Sequence, residues 1–272
     1  MSLDIGDALR DGASRTAERN ALALMAAFVA LGLASTVVMQ SFYASYFEFV
    51  TTMEGAPAGF EQPATPLALP LPIGLTLGLW LVVALVAEAV RIVAVRVMVS
   101  DVTDSIPGTL VARNLPLAVV NGFVGGIVVS VLVGLGTLIF VLPGIFLAIS
   151  FFFVRQRIAV EDENFVDAMV ASWELSSGDR VELAVLALAL FAVALVALVP
   201  TVAFGAVFGQ SSPVPQLLQS LVGGPVAVFG VAVAARAYVQ LTEEPAEGAT
   251  ADEDDDEGGD DEEWPDPPGV DV

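Results

Sequence analysis

Between Leu115 and Val154 the chain runs for about forty residues without a charged side chain. One helix of that length would be about 60 Å long, twice the roughly 30 Å of a bilayer's hydrocarbon core. The stretch must therefore hold two membrane spans joined by a reversal. Gly134, Gly136, Pro143 and Gly144 are the breakers available to make it. A turn at Gly134 to Gly136 would kink the fourth span at Pro143 and leave Arg155 near the inner interface. A turn at Pro143 would put that proline at the favoured first helical position, with Arg155 about 16 Å further along the helix and inside the membrane. The residues alone leave both placements open.

The same logic gives four more spans. The apolar runs at Ala21 to Tyr43, Leu69 or Ile73 to Val99, Val181 to Val199 and Gln216 to Val239 each suffice to cross. The expected fold is all-α: six transmembrane helices arranged as three hairpins, with short amphipathic helices on the cytoplasmic side. Residues 1–20 form a cytoplasmic amphipathic segment, 21–240 the six-helix domain and 241–272 a disordered acidic tail. Phe47 to Pro66 reads as an exposed loop, and Pro200 to Pro215 as an uncharged linker. Asn164 is placed to cap a surface helix that stops at Gly178, with Phe165, Val166, Met169, Val170 and Trp173 along one face.

Charge fixes the orientation. Six spans bring Arg10, Arg15, Arg19, Arg91, Arg96, Arg113, Arg155, Arg157, Arg180 and Arg236 to one side and leave none in the opposite loops. The positive-inside rule makes that side cytoplasmic, so both termini face the cytoplasm of a multi-pass protein in the cytoplasmic membrane. A formal net charge of -22, with no Lys, His or Cys, accompanies this apolar body. Acid in place of Lys suits a halophilic archaeon, where molar salt screens self-repulsion. The absence of Cys removes disulfide and zinc-thiolate chemistry.

An ionisable residue inside a membrane is costly and marks a candidate site. Glu88 and Arg155 fall on the inner halves of their helices and could neutralise each other across the bundle. In the competing arrangement Glu88 pairs with Arg91 on its own helix, and Arg155 and Arg157 snorkel to the interface. Pro143, Gly144, Gly223, Gly224 and Pro225 are possible helix breaks of the kind that bind substrate in transporters, and the last three should kink the sixth span. No phosphate loop, nucleophile–base set, metal cluster or nucleic-acid patch is present. No enzyme activity, cofactor, metal or nucleic-acid partner is expected. The expected role is non-catalytic, in membrane organisation, envelope homeostasis or assistance to partners, and a small transporter or channel is the alternative. Besides the lipid bilayer, partners would be a second copy or a cytoplasmic protein that docks on the acidic tail.

Leu142-Pro143-Gly144-Ile145, then Arg155, Glu161, Asp167-Ala168, and Ser172-Trp173-Glu174-Leu175 before Gly178 resemble a membrane-domain family. It is the six-span domain attached to some glycerophosphoryl diester phosphodiesterases and found in related stand-alone membrane proteins, including haloarchaeal ones. The close similarity covers about 45 residues around these motifs. The resemblance implies a fourth span that starts at Pro-Gly-Ile, which favours the turn at Pro143. It does not imply phosphodiesterase activity, because the catalytic barrel of those enzymes is a separate domain that needs His, and this chain has none.

Overall fold

The computed structural model describes residues 3–52, 64–209 and 211–243. All regular structure among them is helical: α1 (Ile5–Thr16), α2 (Arg19–Thr51), α3 (Ile73–Val99), α4 (Gly108–Ala112), α5 (Leu115–Ile139), α6 (Val141–Ser150), α7 (Val154–Glu161), α8 (Phe165–Ser176), α9 (Arg180–Phe208) and α10 (Val214–Glu243). Six stretches are long and apolar enough to cross a membrane: α2, α3, α5, α6 with α7, α9 and α10. They form the hairpins α2–α3, α5–α6/α7 and α9–α10. A short helix (α1, α4 or α8) precedes each hairpin. The acidic tail beyond Glu243 and residues 53–63 of the expected first loop lie outside the described residues.

Helix α10 is the axis of the bundle, packed against α1, α2, α3 and α9. Small residues make the approach close. A Cβ on Gly12 of α1 would lie 2.4 Å from Val233 Cγ2, and one on Gly224 would lie 2.9 Å from the Met25 carbonyl of α2. Without a hydrophobic driving force between helices in lipid, such backbone proximity is what holds them together. The densest packing lies at the arginine-bearing end, where Ile92 to Met98, Phe153 to Ala159 and Val228 to Val239 supply most of the buried apolar side chains. The opposite halves of α2, α3, α5 and α9 present large apolar side chains outward, among them Phe49, Trp80, Leu135 and Phe204.

Several expected boundaries move. The reversal between the third and fourth spans falls at Phe140, the one non-helical residue between α5 and α6, and Pro143 sits in the first turn of α6 rather than at its first position. That turn has no intrahelical use for a proline N–H. Gly144 packs on α5, where a Cβ would meet the Thr137 N–H at 2.7 Å. Helix α2 continues to Thr51 instead of ending at Tyr43, so the start of the expected loop at Phe47 is helical, and Phe42 stacks on Tyr46 along the extension. The expected linker from Pro200 is helix as far as Phe208, and the chain turns at Gly209 with φ +81°. Lipid supplies no partners for freed backbone groups, so a single proline does not end a span. For the same reason α10 runs unbroken through Gly223-Gly224-Pro225.

The fourth span is instead interrupted where no Gly or Pro stands, at Phe151 to Phe153 between α6 and α7. Buried Ser172 of α8 accepts from Phe153 N–H at 3.1 Å and donates to Ser150 C=O at 3.0 Å. Ser176 donates to the same carbonyl at 3.2 Å. Two hydroxyls one helical turn apart thus replace backbone bonds that the break leaves open. Ala168, Ser172 and Ser176 form the buried face of α8, while Val166, Val170 and Trp173 face outward.

Candidate functional site

On α3, Ala84, Glu88 and Arg91 recur at helical spacing and share one face. Opposite them α5 presents Gly122, Gly126 and Ser130. A Cβ at Gly122 would lie 2.6 Å from Glu88 Oε1, so a larger residue there has to displace the carboxylate. Arg155 enters from the first turn of α7, immediately after the serine-capped break. A cation at a helix N-terminus opposes the helix dipole, and Glu88 offsets it.

The Glu88 carboxylate, 3% exposed as a residue, bridges two guanidiniums. Arg155 Nε donates to Oε1 at 2.9 Å, and Arg155 Nη2 reaches Oε2 at 3.4 Å. Arg91 Nη1 donates to Oε2 at 3.3 Å. The two arrangements open from sequence therefore coexist: the pair across the bundle and the pair along α3 share one carboxylate, and Arg155 turns inward rather than snorkelling. Beside them lies an open cleft of about 440 Å³, with Phe123, Ile127 and Val131 as apolar wall. Gly223, Gly224, Pro225, Pro143 and Gly144 take no part in this cluster; Gly223 and Gly224 line a separate cleft.

A second layer of arginines fastens helix ends. Arg96, buried to 4% exposure, donates to the carbonyls of Ala159 at 2.7 Å, Arg113 at 2.5 Å and Leu110 at 3.2 Å, and to Asp162 Oδ1 at 3.2 Å. Arg113 Nε holds the other oxygen of Asp162 at 2.8 Å. Arg15 caps the end of α3 through the carbonyls of Val97, Ser100 and Val102 and pairs with Glu18. Arg157 binds Glu163 and Tyr238, whose hydroxyl donates to Glu161 at 3.1 Å. Cations at helix C-termini match the dipole and satisfy orphan carbonyls, so this layer is structural. The sequence brings these arginines to one side, but only the packing makes Arg96 the junction of α3, α4 and α7; its position near the end of a span is the available signal.

The bundle with both arginine layers falls within residues 3–241, which match the family described as Domain of unknown function (DUF7847). The chain belongs to the DUF7847 family. No curated protein and no solved structure matches it.

Within this DUF7847 domain, Arg91 has a second setting. Its side chain also lines a cleft of about 280 Å³ between α2, α3 and α10, where Ser35, Thr36, Gln219 and Ser220 contribute polar groups. Arg91 therefore borders the Glu88–Arg155 cleft on one flank of α3 and a polar cleft on the other.

Proposed function

We propose that this DUF7847 protein is a non-catalytic component of the cytoplasmic membrane, with both termini cytoplasmic, acting in membrane organisation, envelope homeostasis or assistance to a partner. The observation that carries this reading is the Glu88 carboxylate held between Arg155 and Arg91 beside an open cleft. A carboxylate so engaged is a fixed counter-ion, and the cations around it suit attachment of an anion. The arginines at one end of the bundle support the cytoplasmic orientation. The acid excess supports a halophilic source, and the acidic tail would be the contact for a cytoplasmic partner or a second copy. The resemblance to the membrane domain of glycerophosphoryl diester phosphodiesterases fits the same reading, because in those proteins hydrolysis belongs to a separate domain.

A second reading, a small transporter or channel, is favoured by Arg91 bordering clefts on both flanks of α3 and by the interrupted fourth span. It would use that span and not the unbroken α10. Proteoliposomes loaded with a broad solute panel separate the two: no flux above protein-free vesicles supports the non-catalytic role. Flux that disappears in Arg155→Gln would replace it with transport.

A further inference from the structure

We propose that the cleft between α3, α5 and α7 binds the anionic phosphodiester headgroup of a membrane lipid, with Arg155 and Arg91 as its anchors. The inference rests on the reading of the cluster as a binding site rather than a catalytic one, and it names the ligand.

Charge is the first argument. Two guanidiniums meet one carboxylate, so the cluster carries one uncompensated positive charge. Glu88 is 4% exposed at its side chain, whereas Arg155 and Arg91 keep 39% and 44% of theirs open. The anion already present is sealed against Gly122, and the accessible face of the cluster is purely cationic. Among the described residues most N–H donors of the two guanidiniums have no partner, and a planar fork of donors suits the oxygens of a phosphate group.

Depth is the second. At 1.5 Å per residue, Glu88 lies about 22 Å and Arg91 about 27 Å along α3 from its outer end at Ile73, and Arg155 about 21 Å along the fourth span from Val141. In a hydrocarbon core of about 30 Å these positions fall in its inner third. Arg91 lies about 3 Å short of the inner edge of that core, close to the level of the lipid phosphates, and Arg155, held inward by Glu88, meets a headgroup drawn a few ångströms into the cleft. The third argument is the wall: Phe123, Ile127 and Val131 rise along α5 from the cations toward the membrane centre, the direction in which an acyl chain hangs from its headgroup. Gly126 leaves room at the floor, its Cβ direction meeting only Arg155 Nη2 at 3.9 Å. A cleft with cations at the interface end and apolar side chains above them matches an anionic amphiphile in both polarity and direction.

The test uses the full chain in phosphatidylcholine nanodiscs doped with phosphatidylglycerol, with retained lipid read by native mass spectrometry. The wild type should retain phosphatidylglycerol over phosphatidylcholine by about tenfold or more. Arg155→Gln and Arg91→Gln should each remove most of that preference, and Arg155→Lys should keep part of it. Gly126→Leu, which fills the cleft without changing charge or entering the core, should lower retention with the bundle still folded. No preference in the wild type, or unchanged retention in both Arg155→Gln and Gly126→Leu, would overturn the proposal. Displacement of the lipid by millimolar inorganic phosphate would overturn the lipid assignment in favour of a free oxyanion. Hydrolysis of the retained phosphatidylglycerol would instead leave the headgroup site standing and overturn the non-catalytic reading.

Discussion

The hydroxyl of Ser172 accepts the N–H of Phe153 at 3.1 Å from a neighbouring helix. Through this bond and its partner to Ser150, a short helix outside the spans stabilises a break inside one. The break sets where α7 begins, and Arg155 stands on the first turn of α7.

Ser172→Ala should therefore destabilise more than its size suggests. The Phe153 N–H loses its partner in a buried, apolar setting, at a cost of about 1–3 kcal/mol. Ser176→Ala should cost less, because Ser172 still serves the Ser150 carbonyl. Thermal denaturation in detergent followed by circular dichroism reads the difference, and equal effects would contradict the assignment.

Arg96→Met should be among the most damaging single changes at the arginine-bearing end. It strips donors from three carbonyls, at about 1–3 kcal/mol for each acceptor left buried and unpaired, while Asp162 keeps Arg113. Arg96→Lys should rescue only partly, since one ammonium cannot span the same acceptors. Arg113→Met, at a half-exposed side chain, should cost about 1 kcal/mol or less as an ion pair. Yield of folded protein and melting temperature rank the three.

Gly122→Ala and Gly126→Ala should differ although both lie on one face of α5. The first drives a methyl to 2.6 Å from Glu88 Oε1, and the second makes only an ordinary contact with Arg155 Nη2 at 3.9 Å. Overpacking of that kind costs about 1–3 kcal/mol. Similar melting temperatures for the two variants would show that Glu88 can move aside.

Glu88→Gln with Arg155→Gln should show non-additive stability, as should Glu88→Gln with Arg91→Gln, each with a coupling of about 0.5–2 kcal/mol. Double-mutant cycles from unfolding in mixed micelles measure it. Independent effects would mean that the shared carboxylate carries no energetic link between the helices.

Because the chain has no Cys, a single Ser177→Cys replacement tests orientation. Ser177 is exposed just after α8, so a membrane-impermeant thiol reagent should label it only after the vesicle interior is opened. Strong labelling of intact cells would reverse the orientation proposed above.

Spans were legible in the sequence wherever length and hydropathy sufficed, and the six stretches emerge from both sequence and structure. Helix ends were less so. Pro200 and Gly223-Gly224-Pro225 carry the local signature of a stop and lie inside helices, because in lipid the alternative to helix is an unsatisfied backbone. The real interruption at Phe151 to Phe153 carries no breaker, since its stability comes from hydroxyls about twenty positions away in sequence. The small face Ala168, Ser172, Ser176 at helical spacing was the only local hint. In the cluster itself, Glu88 stands out as a charge in an apolar run, and Gly122 as one of several small residues suited to close helix approach, but only the packing of α3 on α5 matches the two.

The sequence by itself determined that this chain has six stretches built to cross a membrane and that its arginines gather at one end of the bundle. Those properties depend on summed transfer energies and charge counts, which need no knowledge of neighbours. Which arginines merely fasten helix ends and which stay open to a ligand was decided only by tertiary structure. Arg96 and Arg155 are the same residue type; three carbonyls from the ends of α4 and α7 surround the first, and a glycine-lined cleft leaves the second open. That distinction lies in which backbone groups the fold brings within hydrogen-bonding distance.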